Sequence, residues 1–158
     1  MVSHLFVSGE LNGVSGLKPV ENPPFEYRFK IQCTACREEH DKEISINLLE
    51  KHEIQGSRGE ASFVFKCDFC GKQSNVEISL PKNYTGLTED SKRAVMLDIE
   101  ARGVELVEFI PVGNFECVSE QGTKFTEVDI SEGEWYDYDD NAGAEVSITD
   151  LRWEISKK

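Results

Sequence analysis

The sequence predicts a mostly β fold, in which two pseudo-symmetric antiparallel halves pack as one sandwich or barrel-like domain with little helix. β-branched and aromatic residues alternate with polar ones along most of the chain, and this period of two is typical of half-buried strands. Turn-forming residues separate the alternating segments. A weak internal similarity relates the first half of the chain to the second.

Eight segments show the alternation. In chain order they are HLFVSGEL (4–11), FEYRFKIQC (25–33), KEISINLL (42–49), SFVFKC (62–67), NVEISL (75–80), RAVMLDIEARGV (93–104), FECVS (115–119) and EVSITDLRWEIS (145–156). Turns are predicted at 12–13, 23–24, 56–59, 81–86, 113–114 and 121–122. The best helix candidate is TEDSKRAVML (88–97), where Thr88 is a possible cap, but its apolar residues continue into a strand-like run. We therefore expect little helix.

The internal similarity appears when the chain is shifted against itself. At a shift of 86 residues, segment 29–45 falls on segment 115–131, and Phe29 and Ile44 meet Phe115 and Ile130. The same shift sets the four paired cysteines against other residues: Cys33 on Ser119, Cys36 on Gly122, Cys67 on Trp153 and Cys70 on Ser156. We interpret the chain as two β halves, about 1–85 and 90–158, the first closed by cysteines and the second by Trp153 and its neighbours.

Length and hydropathy indicate one domain, 1–158, without a membrane span. A chain of 158 residues fits a single domain. No run of eighteen apolar residues occurs, so a spanning helix is not expected. The N-terminal segment lacks the basic, apolar and small-residue regions of an export signal, and we predict a cytoplasmic protein with reduced or metal-bound thiols.

The charge is strongly negative and unevenly placed. The formal net charge is −13, and no Lys or Arg lies between Lys124 and Arg152. That interval holds nine acids: Glu127, Asp129, Glu132, Glu134, Asp137, Asp139, Asp140, Glu145 and Asp150. Such a field repels phosphate backbones, which argues against a nucleic-acid partner. A basic protein partner, a cation or a simple solvated face remain open interpretations.

Four of the five cysteines form two CxxC pairs, Cys33/Cys36 and Cys67/Cys70, with thirty residues between the pairs. A two-residue spacing lets both sulfurs of a pair reach one ion, and two pairs complete a tetrahedron. Spacing therefore predicts one structural zinc ion with four thiolate ligands. Such an ion supplies the folding free energy that a small β half lacks.

Other thiol chemistries fit the pattern less well. A thioredoxin-like dithiol needs one CxxC at the start of a helix. A copper chaperone exposes a single pair on a mobile loop, iron–sulfur loops cluster three cysteines more closely, and catalytic zinc keeps an open position. The fifth cysteine, Cys117, alternates with Phe115 and is predicted to be a small buried residue. His40 follows Cys36 by four residues and is predicted to be a surface histidine.

No catalytic constellation is visible, so we predict a protein that is not an enzyme. Phosphate loops and nucleophile elbows are absent from the sequence. The most unusual polar segment is EGEWYDYDD (132–140), where Trp135, Tyr136 and Tyr138 are candidate partner-binding residues because exposed aromatics anchor interfaces. The alternative is that Trp135 plugs the sheet while the acids face water.

Five segments together resemble the eukaryotic CXXC-motif-containing zinc-binding protein family, long catalogued as a domain of unknown function. They are GLKPV (16–20), CTAC (33–36), SRGEASFVFKCDFC (57–70), ARGVELVEFIP (101–111) and EWYDYDD (134–140), in family order and spread over nearly the whole chain. The resemblance implies a β-rich domain of two pseudo-symmetric halves with one zinc ion. Its ligands would be Cys33, Cys36, Cys67 and Cys70. It implies no catalytic activity.

Two functional hypotheses follow. The first is a cytoplasmic, monomeric zinc-binding protein that acts through contacts with an unidentified protein partner. The second is a metal-handling protein that delivers zinc or copper to a client. They differ in whether the ion leaves without unfolding the chain.

Overall fold

Fourteen strands make up the regular structure of the residues that the structure describes. The computed structural model describes residues 2–21, 24–40, 42–54, 59–91 and 93–157. The strands are β1 Val2–Asn12, β2 Val14–Pro19, β3 Tyr27–Cys33, β4 Ile44–Ile46, β5 His52–Glu53, β6 Glu60–Ala61, β7 Phe63–Lys66, β8 Gln73–Ser79, β9 Arg93–Arg102, β10 Val104–Ile110, β11 Phe115–Ser119, β12 Lys124–Val128, β13 Trp135–Asp139 and β14 Ala144–Ser156. The described residues contain no helix, which confirms the mostly β prediction. Accordingly, none of them forms a helix that could cross a membrane.

The helix candidate at 88–97 forms a turn and a strand instead. The Thr88 hydroxyl and carbonyl both accept a hydrogen bond from the Ser91 backbone N–H, at 3.1 and 3.3 Å. The chain then enters β9, whose central residues Met96, Leu97 and Ile99 are buried. Pairing with β1 and β8 on both sides outweighs the local helix preference of the segment. The turns predicted at 23–24 and 56–59 lie outside the described residues except for Pro24 and Gly59.

The strands form one large sheet and three small ones, all antiparallel. The large sheet has the order β13-β14-β1-β9-β8-β7, and the three-stranded sheets have the orders β10-β3-β4 and β12-β11-β2. Strands β5 and β6 form a separate ribbon. The buried residues of all the larger sheets form one apolar cluster, and the half-buried Trp153 packs against it with its ring centroid 4.7 Å from that of Phe109 and 5.9 Å from that of Phe115.

The pseudo-symmetry of the two halves stays a prediction, but the alignment that set Trp153 on Cys67 is wrong. Trp153 lies within β14, opposite Val7 of β1. Cys67 instead follows the end of β7, in the turn that leads to β8. A mid-strand residue and a turn residue cannot close equivalent ends of two halves. Trp153 contributes to the shared core.

Two glycines form the corners at which the chain leaves the two central strands of the large sheet. Gly13 joins β1 to β2 and Gly103 joins β9 to β10, each with φ of 78°. A left-handed backbone is strained for residues with a Cβ. At Gly103 a Cβ would also lie 2.8 Å from Ser74 Oγ and 3.1 Å from the Gln73 carbonyl oxygen. This corner sends β10 across to pair with β3.

Replacing this corner glycine should destabilise the fold. For Gly103→Ala we expect a loss of about 2–3 kcal/mol, because backbone strain adds to the clash with β8. The measurement is urea unfolding of the zinc-loaded protein. Gly122→Ala is the matched control, since Gly122 has φ of 87° and nothing within 4 Å of its Cβ position. Equal losses in the two variants would contradict a packing role for the corner.

Candidate metal centre

Each CxxC pair occupies a tight turn, and the two turns have the same pattern of backbone hydrogen bonds. In the first turn, the Arg37 N–H donates to the Cys33 carbonyl at 2.9 Å, and the Cys33 N–H donates to the Glu38 carbonyl at 3.0 Å. In the second, the Gly71 N–H donates to the Cys67 carbonyl at 2.9 Å, and the Cys67 N–H donates to the Lys72 carbonyl at 2.9 Å. Both turns need a left-handed residue after the second cysteine.

That left-handed position is filled differently in the two turns. Gly71 has φ of 75° and Arg37 has φ of 67°. Glycine adopts this conformation freely, whereas a residue with a Cβ is strained there by about 1–2 kcal/mol. The strain at Arg37 requires compensation by the interactions that hold its turn, which are the turn hydrogen bonds and the Gln32 side-chain amide that donates to the Arg37 carbonyl at 2.9 Å.

The corner at Gly103 brings the two turns together. Cys33 ends β3 opposite Val104, the first residue of β10. The Thr34 N–H then donates to the Gly103 carbonyl at 3.2 Å. On the other side of the corner lies Ser74, near the start of β8 and four residues after Cys70. One backbone bend is therefore in contact with the elements that carry both cysteine turns.

The four sulfurs are arranged as a tetrahedral site requires. All four Sγ atoms lie within 4.8 Å of one another. The Cys33–Cys70 and Cys36–Cys67 sulfur distances are each 3.7 Å. A zinc tetrahedron with Zn–S bonds of about 2.3 Å has edges of about 3.8 Å. The two short contacts cross between the turns, so a bound ion would tie one turn to the other.

Burial of the cluster is uneven. Cys33 and Cys67, the first cysteine of each pair, are only 1% and 3% exposed. Cys36 is half-buried and Cys70 is exposed. The site is therefore closed by the β-sheet on one side and open to solvent on the other.

Electrostatics of the free thiols favour metal binding. The pKa of Cys33 is lowered, chiefly by a hydrogen bond from the Cys36 backbone N–H. The Glu38 N–H lowers the pKa of Cys36, but burial and the neighbouring thiols outweigh it and raise that pKa. Thiolates at these distances repel one another, so the four thiols cannot all lose their protons without a cation between them. A divalent cation removes this repulsion, because metal binding requires thiolates and displaces their protons.

His40 belongs to the site, which corrects its prediction as a surface residue. Its Nε2 atom lies 3.5 Å from Cys67 Sγ. The imidazole ring is held edge-on between Phe65 and Phe69, with ring centroids 5.7 and 5.5 Å away. Its backbone N–H donates to the Ile31 carbonyl at 3.0 Å. In the tautomer that carries its proton on Nε2, His40 donates to a Cys67 thiolate, and such a bond orients the ligand and tempers its charge.

The remaining candidate residues lie away from the cluster. Cys117 is 1% exposed in β11, as predicted, and burial raises its pKa to about 12. Trp135 is half-buried and contacts Phe125 at 5.2 Å between ring centroids. Tyr136 and Tyr138 are 64% and 49% exposed. The structure therefore separates the aromatic candidates into one packing residue and two surface residues.

Comparison with known proteins gives consistent matches over nearly the whole chain. The family described as CXXC motif containing zinc binding protein, eukaryotic, matches residues 4–156. This chain belongs to that family. The UPF0587 protein of Schizosaccharomyces pombe is 44% identical over 154 residues, covering 97% of this chain and 96% of the relative. The Homo sapiens CXXC motif containing zinc binding protein is 31% identical, with the same coverage of both chains.

Two solved structures share the fold. The crystal structure of C1orf123 aligns with a TM-score of 0.90 and 30% identity over 100% of both chains. A hypothetical protein from Plasmodium falciparum aligns with a TM-score of 0.88 and 25% identity over 99% of both chains. The family is one that binds zinc, and the four clustered thiols have the donor type and spacing of a single tetrahedral zinc site.

Removing a buried ligand should abolish zinc binding and unfold the cysteine turns. For Cys67→Ser we expect zinc content to fall below one ion per chain, with a loss of folding free energy on the order of 10 kcal/mol for the region the ion holds. Metal analysis and thermal unfolding measure both effects. Cys117→Ala, which changes a buried thiol outside the cluster, should keep one zinc. A soluble Cys67→Ser protein of unchanged stability would contradict the structural role of the ion.

Loss of the histidine contact should weaken zinc binding without removing a ligand. For His40→Ala we expect zinc affinity to fall roughly 10- to 100-fold, as for other residues that orient metal ligands. Competition with a chromogenic chelator measures the change. His52→Ala, at an exposed position in β5, is the control. Equal affinities in the two variants would show that the Cys67 contact does not support the ion.

Proposed function

We propose that this protein is a non-enzymatic zinc-binding protein that acts by binding a basic protein partner through the acidic surface of its second half. The zinc ion fixes the two cysteine turns and with them one end of the fold. The observation that carries the partner proposal is the exposure of nearly all the acids between Lys124 and Arg152. Eight of the nine are exposed, and only Asp139 is buried.

Two exposed tyrosines lie within this charge, and we call the combined area the acidic tyrosine surface. It consists of Tyr136, Tyr138 and three exposed acids beside them: Glu134, which accepts from the Tyr136 hydroxyl, Asp150, whose charge acts on Tyr136, and Glu145, which pairs with Tyr138 from the neighbouring strand β14. Tyr136 and Tyr138 alternate in β13 and so share one face. Tyrosine contributes a large contact area at a low cost in side-chain entropy, and the surrounding carboxylates favour Lys and Arg on a partner.

The edge of the sheet favours contacts by side chains over addition of a strand. Strand β13 pairs with β14 on one side and ends the large sheet. The Asp137 carboxylate accepts a hydrogen bond from the Tyr138 backbone N–H at 2.7 Å. This contact occupies a backbone donor, and charged side chains along an edge strand are a known protection of sheet edges. The Tyr136 hydroxyl donates to Glu134 at 3.3 Å and is held within the surface.

The same charge disfavours nucleic acid as a partner, since phosphate binding depends on Lys and Arg. A thiolate site also requires reduced cysteines, which fits action in the cytoplasm, and we propose that the protein acts there as a monomer. We propose no catalytic role for the metal, because four cysteine ligands fill a tetrahedral shell and leave no position for a substrate.

The acidic tyrosine surface can be tested by removing its aromatic side chains. For Tyr136→Ser with Tyr138→Ser we expect affinity for basic cytosolic proteins to fall at least about tenfold, as for other exposed aromatic anchors. Quantitative mass spectrometry of proteins captured by the zinc-loaded wild type and variant identifies the partners, and titration of a purified partner gives the affinity. Capture should also weaken as salt rises.

Phe69→Ala is the matched control, because Phe69 is 57% exposed but lies in the second cysteine turn. It removes an exposed aromatic side chain and leaves the acidic tyrosine surface intact. If the double tyrosine variant captures the same proteins as the wild type, the proposed surface is wrong. If instead the Phe69 variant alone loses the partner, the contact lies at the metal centre.

Transfer of metal to a client is the second candidate, and the exposure of Cys70 favours it. An incoming thiolate would reach the ion from the solvent side without entering the core. A mild chelator distinguishes the candidates. For a structural ion we expect zinc release to follow loss of the circular dichroism signal, whereas a delivery protein would release zinc with its spectrum and thermal midpoint unchanged.

A further inference from the structure

The second half contains a buried polar cluster that no function described above uses. We call it the carboxylate hub, and it consists of Ser119, Thr123, Asp139 and Asn141. Asp139 is only 1% exposed, and its Oδ1 atom accepts hydrogen bonds from the Thr123 hydroxyl at 2.6 Å and the Asn141 N–H at 3.1 Å. The Asn141 side chain donates to Thr123 Oγ1 at 2.7 Å. Charge-assisted bonds of this kind are stronger than neutral ones.

The carboxylate hub and the cysteine cluster each join the turn at the end of one strand to a β-hairpin. Thr123 and Ser119 belong to the turn between β11 and β12, and Asp139 and Asn141 belong to the hairpin between β13 and β14. The cysteines join the turn after β3 to the hairpin between β7 and β8. In the large sheet, β13, β14 and β1 on one side correspond to β7, β8 and β9 on the other. The small sheets β12-β11-β2 and β4-β3-β10 match as well.

The strand register makes the correspondence specific at the first turn. Cys33 is opposite Val104, and Ser119 is opposite Val14. In the next residue, the Thr34 N–H donates to the Gly103 carbonyl at 3.2 Å, and the Glu120 N–H donates to the Gly13 carbonyl at 3.4 Å. Gly103 and Gly13 are the two corner glycines. Ser119 therefore occupies the position of Cys33.

The hairpins correspond residue by residue. The Gly143 N–H donates to the Asp139 carbonyl at 2.8 Å, as the Gly71 N–H donates to the Cys67 carbonyl. Gly143 and Gly71 have φ of 64° and 75°. Asp139 thus occupies the position of Cys67, with Ala142 at that of Cys70.

The turn between β11 and β12 is one residue shorter than the first cysteine turn. Its left-handed residue is Gly122, which corresponds to Arg37. One residue, Gln121, separates Glu120 from Gly122, whereas two residues separate Thr34 from Arg37. The position of Cys36 is therefore missing. This differs from the alignment that set Cys36 on Gly122.

We propose that the carboxylate hub is the metal-free counterpart of the zinc site, closing the second end of the molecule with hydrogen bonds. The Asp139 carboxylate takes the place of the ion that joins turn to hairpin. The hydroxyl groups of Ser119 and Thr123 beside the carboxylate favour its charged form and lower the pKa of Asp139. The two ends are closed independently, so metal content controls the order of the first end and leaves the second folded.

Hydrogen exchange of the zinc-loaded and chelator-treated protein tests this independence. We expect faster exchange on zinc removal at 33–40 and 66–73, with exchange at 119–123 and 139–144 changing less than about twofold. For Asp139→Ala we expect the reverse pattern, one zinc per chain, and a thermal midpoint lowered by roughly 5–10 °C. Thr123→Val provides the same test with a smaller change in shape. Asp140→Ala, which removes an exposed charge one residue away, should change none of these.

Exchange of the turns tests the correspondence itself. In one variant, residues 119–123 are replaced by CTACRE (33–38) and residues 139–144 by CDFCGK (67–72). We expect this chain to bind two zinc ions where the wild type binds one. A folded variant that binds one ion would overturn the proposal. So would equal loss of protection at both ends when the wild-type zinc is removed, or loss of zinc from Asp139→Ala.

Discussion

The bend at Gly103 is the constraint on which the rest of the metal centre depends. It takes the chain from β9 into β10, and its carbonyl accepts the Thr34 N–H while Ser74 lies against its Cα. The two cysteine turns are far apart in sequence, and a loop of that length costs conformational entropy to close. The core fixes β9, β3 and β8 around this bend, so apolar burial meets part of that cost, and the zinc ion supplies the order of the two cysteine turns themselves. Metal affinity and sheet packing are therefore coupled through one backbone position.

Local sequence patterns predict most of the strands but say nothing about which strands pair. The period of two located most of the regular structure because burial of one sheet face requires it. Pairing between distant strands depends on contacts that no local pattern records, so the sequence alone makes 88–97 a helix candidate and aligns Trp153 with Cys67. The four cysteines were predictable from spacing alone. His40 was missed because its role comes from the Ile31 backbone contact and the Phe65 and Phe69 rings, which fold it back onto Cys67.

The segment 132–140 shows how one strand can serve three purposes. Alternation in β13 turns Tyr136 and Tyr138 to the surface and Trp135 and Asp139 to the other face. Trp135 then packs on Phe125, and Asp139 enters the carboxylate hub. The sequence leaves open whether Trp135 anchors a partner or packs into the sheet, and the pleat favours packing because it separates Trp135 from the two tyrosines. Only side-chain direction, which follows from register, distinguishes an anchor for a partner from a support for the sheet.

Thiolate ligands of zinc hold one end of the molecule and hydrogen bonds hold the other, and each arrangement fits the charges of the residues around it. An ionised Asp139 is compatible with its highly acidic surroundings only because Thr123 and Asn141 donate to it directly. Four thiolates at that end would add further negative charge that even zinc only partly neutralises. At the first end, Lys66, Lys72 and Arg37 lie in or beside the cysteine turns and offset the net charge of a zinc ion held by four thiolates. Metal at one end and hydrogen bonds at the other are thus consistent with where this chain places its charges. The acidic surface can then keep its shape whether or not zinc is bound.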